Sequence, residues 1–155
     1  MILRYTIKGL RLSFSMSRVN EVIGVNSMVG DGFHIPMFDF DNTDLETVSN
    51  ALSVIQIRYG LSDIYILETK PDSNYIAYCF TALPLLKVIE IVAATHGIDF
   101  YFLKYGVYRE KFTLRITPKG DRSIKLVRVI PGFRLSNCEV EDLHRYVKYE
   151  TLRRP

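Results

Sequence analysis

The run D-I-Y-I-L-E-T-K-P-D-S-N-Y-I-A-Y-C-F, from Asp63 to Phe80, constrains the fold more than any other stretch. Two runs rich in β-branched and aromatic residues flank Pro71-Asp72-Ser73-Asn74, a segment of turn formers. The pattern reads as an antiparallel hairpin, with Asp63–Lys70 as one strand and Tyr75–Phe80 as the other. A helical pattern lies on each side of it. Thr43-Asp44-Leu45-Glu46 forms a capping box in which Thr43 bonds the Glu46 amide and Glu46 reaches back. The helix it opens runs to about Tyr59, with Leu45, Val48, Leu52 and Ile55 on one face and Gly60 as its stop. Beyond the hairpin, Thr81 caps a second helix, with Pro84 in its first turn, Leu85, Ile89 and Val92 as its core stripe, and Gly97 at its end. Successive parallel strands need a long crossover, which the Pro71–Asn74 turn does not supply. The expectation is therefore an α+β fold: one domain over 1–155 with a central, mainly antiparallel sheet flanked by helices.

The remaining segments fit the same class. Residues 2–30 alternate loosely between apolar and polar and read as strands, with Gly24, Gly30 and Gly32 at turns or bulges. Phe112–Thr117 alternates clearly, with Phe112, Leu114 and Ile116 inward, and Ile124–Ile130 returns as another strand. Ser136-Asn137-Cys138-Glu139 reads as a capping box opening a C-terminal helix over about 138–150, docked through Val140, Leu143 and Val147. A chain of 155 residues, 48% of them hydrophobic, is long enough to bury a core. No apolar run reaches about eighteen residues, so no membrane span is expected. Arg4 and Lys8 break up the apolar start, which argues against a signal peptide. Cys79 and Cys138 form no metal-binding spacing, and His34, His96 and His144 are scattered. The setting expected from this is reducing, intracellular and cytoplasmic.

Chemistry is suggested by Phe33–Thr43, F-H-I-P-M-F-D-F-D-N-T. Alternate strand residues share a face, so Asp39 and Asp41 point one way and Phe38 and Phe40 the other. Two carboxylates side by side repel unless a cation sits between them, and the oxygen donors suit Mg²⁺ or Mn²⁺. Asp99, closing H-G-I-D, is a third carboxylate at a strand-like position. Arg115 and Lys119, in L-R-I-T-P-K, are placed to grip phosphate by bidentate and point-charge contacts. Charge follows the same division. Pro36–Asp99 holds nine acidic and three basic residues, whereas Phe100–Arg128 holds eight basic and two acidic. An acidic half beside a basic half suits a phosphate-bearing substrate.

The order D-x-D strand, helix, hairpin, helix, lone Asp and L-R-x-[ST]-x-K resembles the catalytic core of archaeo-eukaryotic-type primases, over about 33–130. The resemblance implies a nucleic-acid or nucleotide partner and metal-dependent nucleotidyl transfer. Asp39, Asp41 and Asp99 would be the catalytic, metal-holding residues, with Lys70, Arg115 and Lys119 at the nucleotide phosphates. The chain departs from the family at the hairpin, where Tyr75 or Ile76 falls in place of a nucleotide-binding histidine. It is similar to a diverged member, either altered in chemistry or retained for nucleic-acid binding.

Two other signatures compete. D-F-D-N-T fits the D-x-D-x-T signature of haloacid-dehalogenase-like phosphatases, with Asp39 as nucleophile and Asp41 as acid/base. Those enzymes need an alternating β-α parallel sheet, which the hairpin order denies. Y-I-L-E-T-K resembles the E-x-K half-motif of restriction-endonuclease-like nucleases, with Glu68 on the metal and Lys70 supporting the attacking water. A non-catalytic reading rests on Tyr101–Phe112, where aromatics alternate with Lys104, Arg109 and Lys111, because basic groups track phosphates and exposed rings stack on bases.

Overall fold

A computed structural model of the chain describes residues 2–30, 32–118 and 123–151. The chain order is β1 (Ile2–Ile7), β2 (Leu10–Ser15), β3 (Val19–Val29), β4 (Phe33–His34), β5 (Met37–Phe40), α1 (Leu45–Tyr59), β6 (Ile64–Lys70) and β7 (Asn74–Cys79). It continues through β8 (Leu83–Pro84), α2 (Leu85–Ala94), α3 (Phe100–Tyr108), β9 (Thr113–Arg115), β10 (Lys125–Ile130) and β11 (Leu143–Thr151). Every strand pairing among the described residues is antiparallel, and the fold is α+β.

The expected single central sheet is divided. One sheet has the order β10-β6-β7-β5; the other runs β11-β3-β4-β8, with β9 also paired to β3. The hairpin forms the middle of the first sheet, Ile64 opposite Cys79 and Ile66 opposite Ala77. Its one face is apolar because Phe38 and Phe40 of β5 lie across from Ala77 and Tyr75. Helix α1 covers that face with Val48, Leu52 and Ile55, all buried. Two polar ties fix it there. Arg128 of β10 donates to Ser49 Oγ at 2.8 Å and to Glu46 Oε1 at 2.7 Å, and Gln56 Nε2 donates to the carbonyls of Ser62 and Ile130.

The first helix starts one residue later than its predicted cap. Asp44, not Thr43, accepts from the Thr47 amide and hydroxyl, at 2.9 and 2.7 Å. Asp at the cap also places negative charge at the helix's positive end. Gly60 ends the helix at φ 60°, a left-handed conformation that suits glycine. The C-terminal segment differs more. The predicted helix over about 138–150 is a single 3₁₀ turn, Val140–Asp142, followed by β11, which pairs with β3 from Leu143 to Thr151. The capping residues are Glu139 and Asp142, with Asp142 Oδ2 accepting the Glu139 amide at 2.8 Å.

At the N-terminus, β1 and β2 form a two-stranded ribbon. Leu3, Tyr5 and Ile7 lie across from Phe14, Leu12 and Leu10, so one face is wholly apolar while Arg4 and Arg11 lie on the other. No helix among the described residues is long and apolar enough to cross a membrane.

Candidate functional site

The face of β5 turned away from α1 carries Asp39. Its cross-strand neighbour is Ile76 of β7, and Asn74 stands two residues along on the same face. Asp41 lies just past the strand, where Asn42 takes a left-handed turn at φ 55°. Two bonds pin that turn to the hairpin tip: the Thr43 amide donates to the Ser73 carbonyl at 2.9 Å, and Asn74 Nδ2 donates to Asp41 Oδ1. Both aspartates are therefore held by backbone pairing and a side-chain amide, as positioned groups on one cleft.

Asp99 joins them from a distant part of the chain. Its amide donates to the Asp39 carbonyl at 2.9 Å. The strand-like position expected for Asp99 is instead the N-cap of α3, where Oδ1 accepts from the Phe102 amide at 2.6 Å. One carboxylate oxygen is thus committed to the helix. The crowding shows in Asp39, whose carboxyl is pushed up to about 7, first by burial and then by the charges of Asp41 and Asp99. A bond from the Phe40 amide opposes this without cancelling it.

A cavity of about 380 Å³ opens on Asp39 and Asp41 but not on Asp99, with Lys70, Asn74, Arg115 and Tyr146 also among its walls. Lys70 reaches this face through a bulge. Glu68 pairs with Tyr75 and Lys70 with Asn74, so the irregularity between them turns the two side chains to opposite faces. Glu68 is occupied in the turn, its Oε1 accepting the Asp72 amide at 2.9 Å. The E-x-K pair is therefore not assembled as one site. Arg115 lines the cleft while donating from Nε to the Thr117 carbonyl at 3.0 Å and from Nη2 to the Pro118 carbonyl at 2.8 Å. Lys119 lies outside the described residues. Of the two hairpin residues in question, Ile76 faces the cleft and Tyr75 faces the α1 side.

The donor set is oxygen-rich, and the repulsion on Asp39 is the condition a divalent cation relieves. Among the described residues no group of three His, Cys, Asp or Glu side chains forms a ready metal cage. Mg²⁺ does not require one, since it commonly takes one or two carboxylates and completes its shell with substrate phosphate and water. The aspartates therefore fit such an ion as partial ligands. The histidines do not join them: His34 Nδ1 is bonded to Ser27 Oγ at 2.9 Å in the interior.

On its other side Asp39 borders a smaller hollow of about 210 Å³, shared with Asp99 and with Tyr101, Tyr105, Arg109 and Lys111 from α3 and its exit. A larger cavity, about 740 Å³, is apolar and lies further along the same sheet face, meeting the acidic cleft at Ile76 and Ile124. Sequence reasoning missed Asn74 and Tyr146 as cleft residues. Asn74 was hidden as a turn former, and Tyr146 was placed on a helix. The chain matches no protein-family model, no curated protein and no solved structure.

Proposed function

We propose that the protein acts on nucleotides or nucleic acid by metal-assisted phosphoryl transfer at the Asp39–Asp41 cleft, with Asp99 beside Asp39, as a diverged relative of the primase–polymerase core. The observation that supports the reading is the pair Asp39 and Asp41 in one cleft with Lys70 and Arg115, and Asp99 on the other side of Asp39, near enough for both charges to hold the Asp39 carboxyl up at about 7 behind the larger effect of burial. Asp39 and Asp41 would hold Mg²⁺ or Mn²⁺, and Asp99 would add its charge beside Asp39 while capping α3. Such an ion would supply polarisation of a phosphoryl oxygen and orientation of the attacking group. Lys70 and Arg115, beside the carboxylates, offset phosphate charge; Lys119 is assigned the same role from its sequence motif alone. Ile76 supplies no proton donor in the cleft, so the phosphate grip relies on these cations instead of an imidazole.

Calorimetric titration with Mn²⁺, with and without a nucleoside triphosphate, tests this. The wild type is expected to bind Mn²⁺, more tightly when the triphosphate is present. The Asp39→Asn/Asp41→Asn double variant is expected to lose both the binding and any phosphoryl-transfer product. Unchanged Mn²⁺ binding in the double variant would overturn the assignment. Binding without turnover is the second reading, favoured by the apolar Ile76; it predicts nucleic-acid binding with no product in the wild type.

A further inference from the structure

Helix α3 turns an aromatic face away from the protein. At 100° per residue, Tyr101, Lys104, Tyr105 and Tyr108 occupy one sector. Phe102 and Gly106 fall on the opposite side. Gly106 sits so close to Phe112 that an added Cβ would lie 2.3 Å from its ring, so this small residue lets the helix seat firmly. The outer rings are exposed at 62% for Tyr101, 48% for Tyr105 and 84% for Tyr108, a concentration of bare aromatic surface that a merely solvated helix does not need. The rings are also ordered against one another. Tyr101 and Tyr105 stack at 6.5 Å with 23° between planes, and the Arg109 guanidinium lies 5.3 Å over the Tyr105 ring. From Phe100 to Lys111 the basic residues are Lys104, Arg109 and Lys111, with Glu110 the lone acid.

A partner for this face must offer flat π surfaces and negative charge together. Single-stranded nucleic acid does both: its bases stack on aromatic side chains while its phosphates pair with basic groups. We infer that the outer face of α3 is a stacking platform for single-stranded nucleic acid, carrying the strand past the Arg109–Lys111 hollow to the edge of the Asp39–Asp99 cluster. The inference deepens the proposed function and rests on it for the strand's fate at the carboxylates. Capture of the strand needs only the rings and the cations.

The test is fluorescence anisotropy of labelled oligo-dT and oligo-rU in EDTA, over a salt series, using the whole chain. The wild type is expected to bind at least one of the two, with affinity falling as salt rises. Tyr101→Ala/Tyr105→Ala is expected to weaken binding by about tenfold or more, whereas Tyr101→Phe/Tyr105→Phe, which keeps the rings, binds as the wild type does. Both positions are exposed, so melting curves should match the wild type. EDTA removes divalent ions, so this binding does not depend on the carboxylates holding a metal, and a failed carboxylate assignment would leave this result standing. The inference is overturned if the wild type binds neither oligonucleotide or if the alanine double variant binds as well as wild type. It is equally overturned if the phenylalanine variant loses binding, or if the alanine variant alters only the oligomeric state, which would mark a protein-contact surface.

Discussion

Asp39→Asn is expected to stabilise the folded protein at alkaline pH while removing its affinity for divalent cations. The sign follows from proton linkage. The folded carboxyl ionises near 7 against an ordinary value of 3.8, because burial and the charges of Asp41 and Asp99 oppose ionisation. Between those values the folded state holds a proton that the unfolded state has released, so stability falls as pH rises from about 4 to 7 and is level above that. The gap corresponds to on the order of 4 kcal/mol at pH 8, an upper value because Asp41 is exposed and its charge is screened by solvent. Asparagine keeps the shape and cannot ionise. Urea melts in EDTA should therefore show variant and wild type close together at pH 4 and separated by several kcal/mol at pH 8. A gap that does not grow with pH would sink the account. Added Mn²⁺ at pH 8 should raise the wild type toward the variant and leave the variant unmoved, because the ion offsets the same repulsion.

The parts of this architecture that were legible in sequence are those set by local chemistry. The Pro71–Asn74 turn between two β-rich runs dictated the hairpin, and the Phe38/Phe40 alternation correctly sent Asp39 to the opposite face. What was lost depended on partners distant in sequence or on ambiguous spacing. Leu143 and Val147 are four apart, an interval that is even, as a strand requires, and nearly one helical turn. The neighbouring Tyr146, Val147 and Tyr149 are strand formers, and pairing with the long β3 settled the choice. Helix α3 escaped notice because Phe100–Tyr108 is apolar almost all round and has no polar stripe to give it a period. Asp99 then looked like a strand residue when it is the cap. The split of Glu68 from Lys70 depends on a bulge that no alternation rule anticipates, and it removes the nuclease pair that the sequence offered. Of the three carboxylates proposed from sequence, Asp39 and Asp41 line one cleft and Asp39 and Asp99 a second hollow, with a backbone bond from the Asp99 amide to the Asp39 carbonyl between the segments.

Gly132→Ala should be the most damaging glycine substitution for the fold, although it lies outside the carboxylate cluster. An added Cβ would stand 2.5 Å from the Ser62 carbonyl carbon and 2.7 Å from the Leu61 oxygen. These are backbone atoms, unlike the ring atoms that face Gly24 and Gly106, so no side chain can swing aside. The same spot joins three elements: the Gly132 amide donates to Asp63 Oδ1 at 2.8 Å, and Gln56 of α1 bonds the carbonyls of Ser62 and Ile130. Forcing the chains apart would lengthen those bonds and loosen β10 from β6. Overpacking alone costs about 1–3 kcal/mol, and each buried carbonyl left without a donor adds about 1–3 kcal/mol. A loss of about 3 kcal/mol or more is expected in denaturant melts, a large share of the roughly 5–15 kcal/mol typical of a whole domain. Gln56→Leu should lose less, because it strands the two carbonyls without moving backbone. Ranking Gly132→Ala at or below Gln56→Leu in damage would show that the backbone here yields, and that the side-chain bonds alone hold β10 in place.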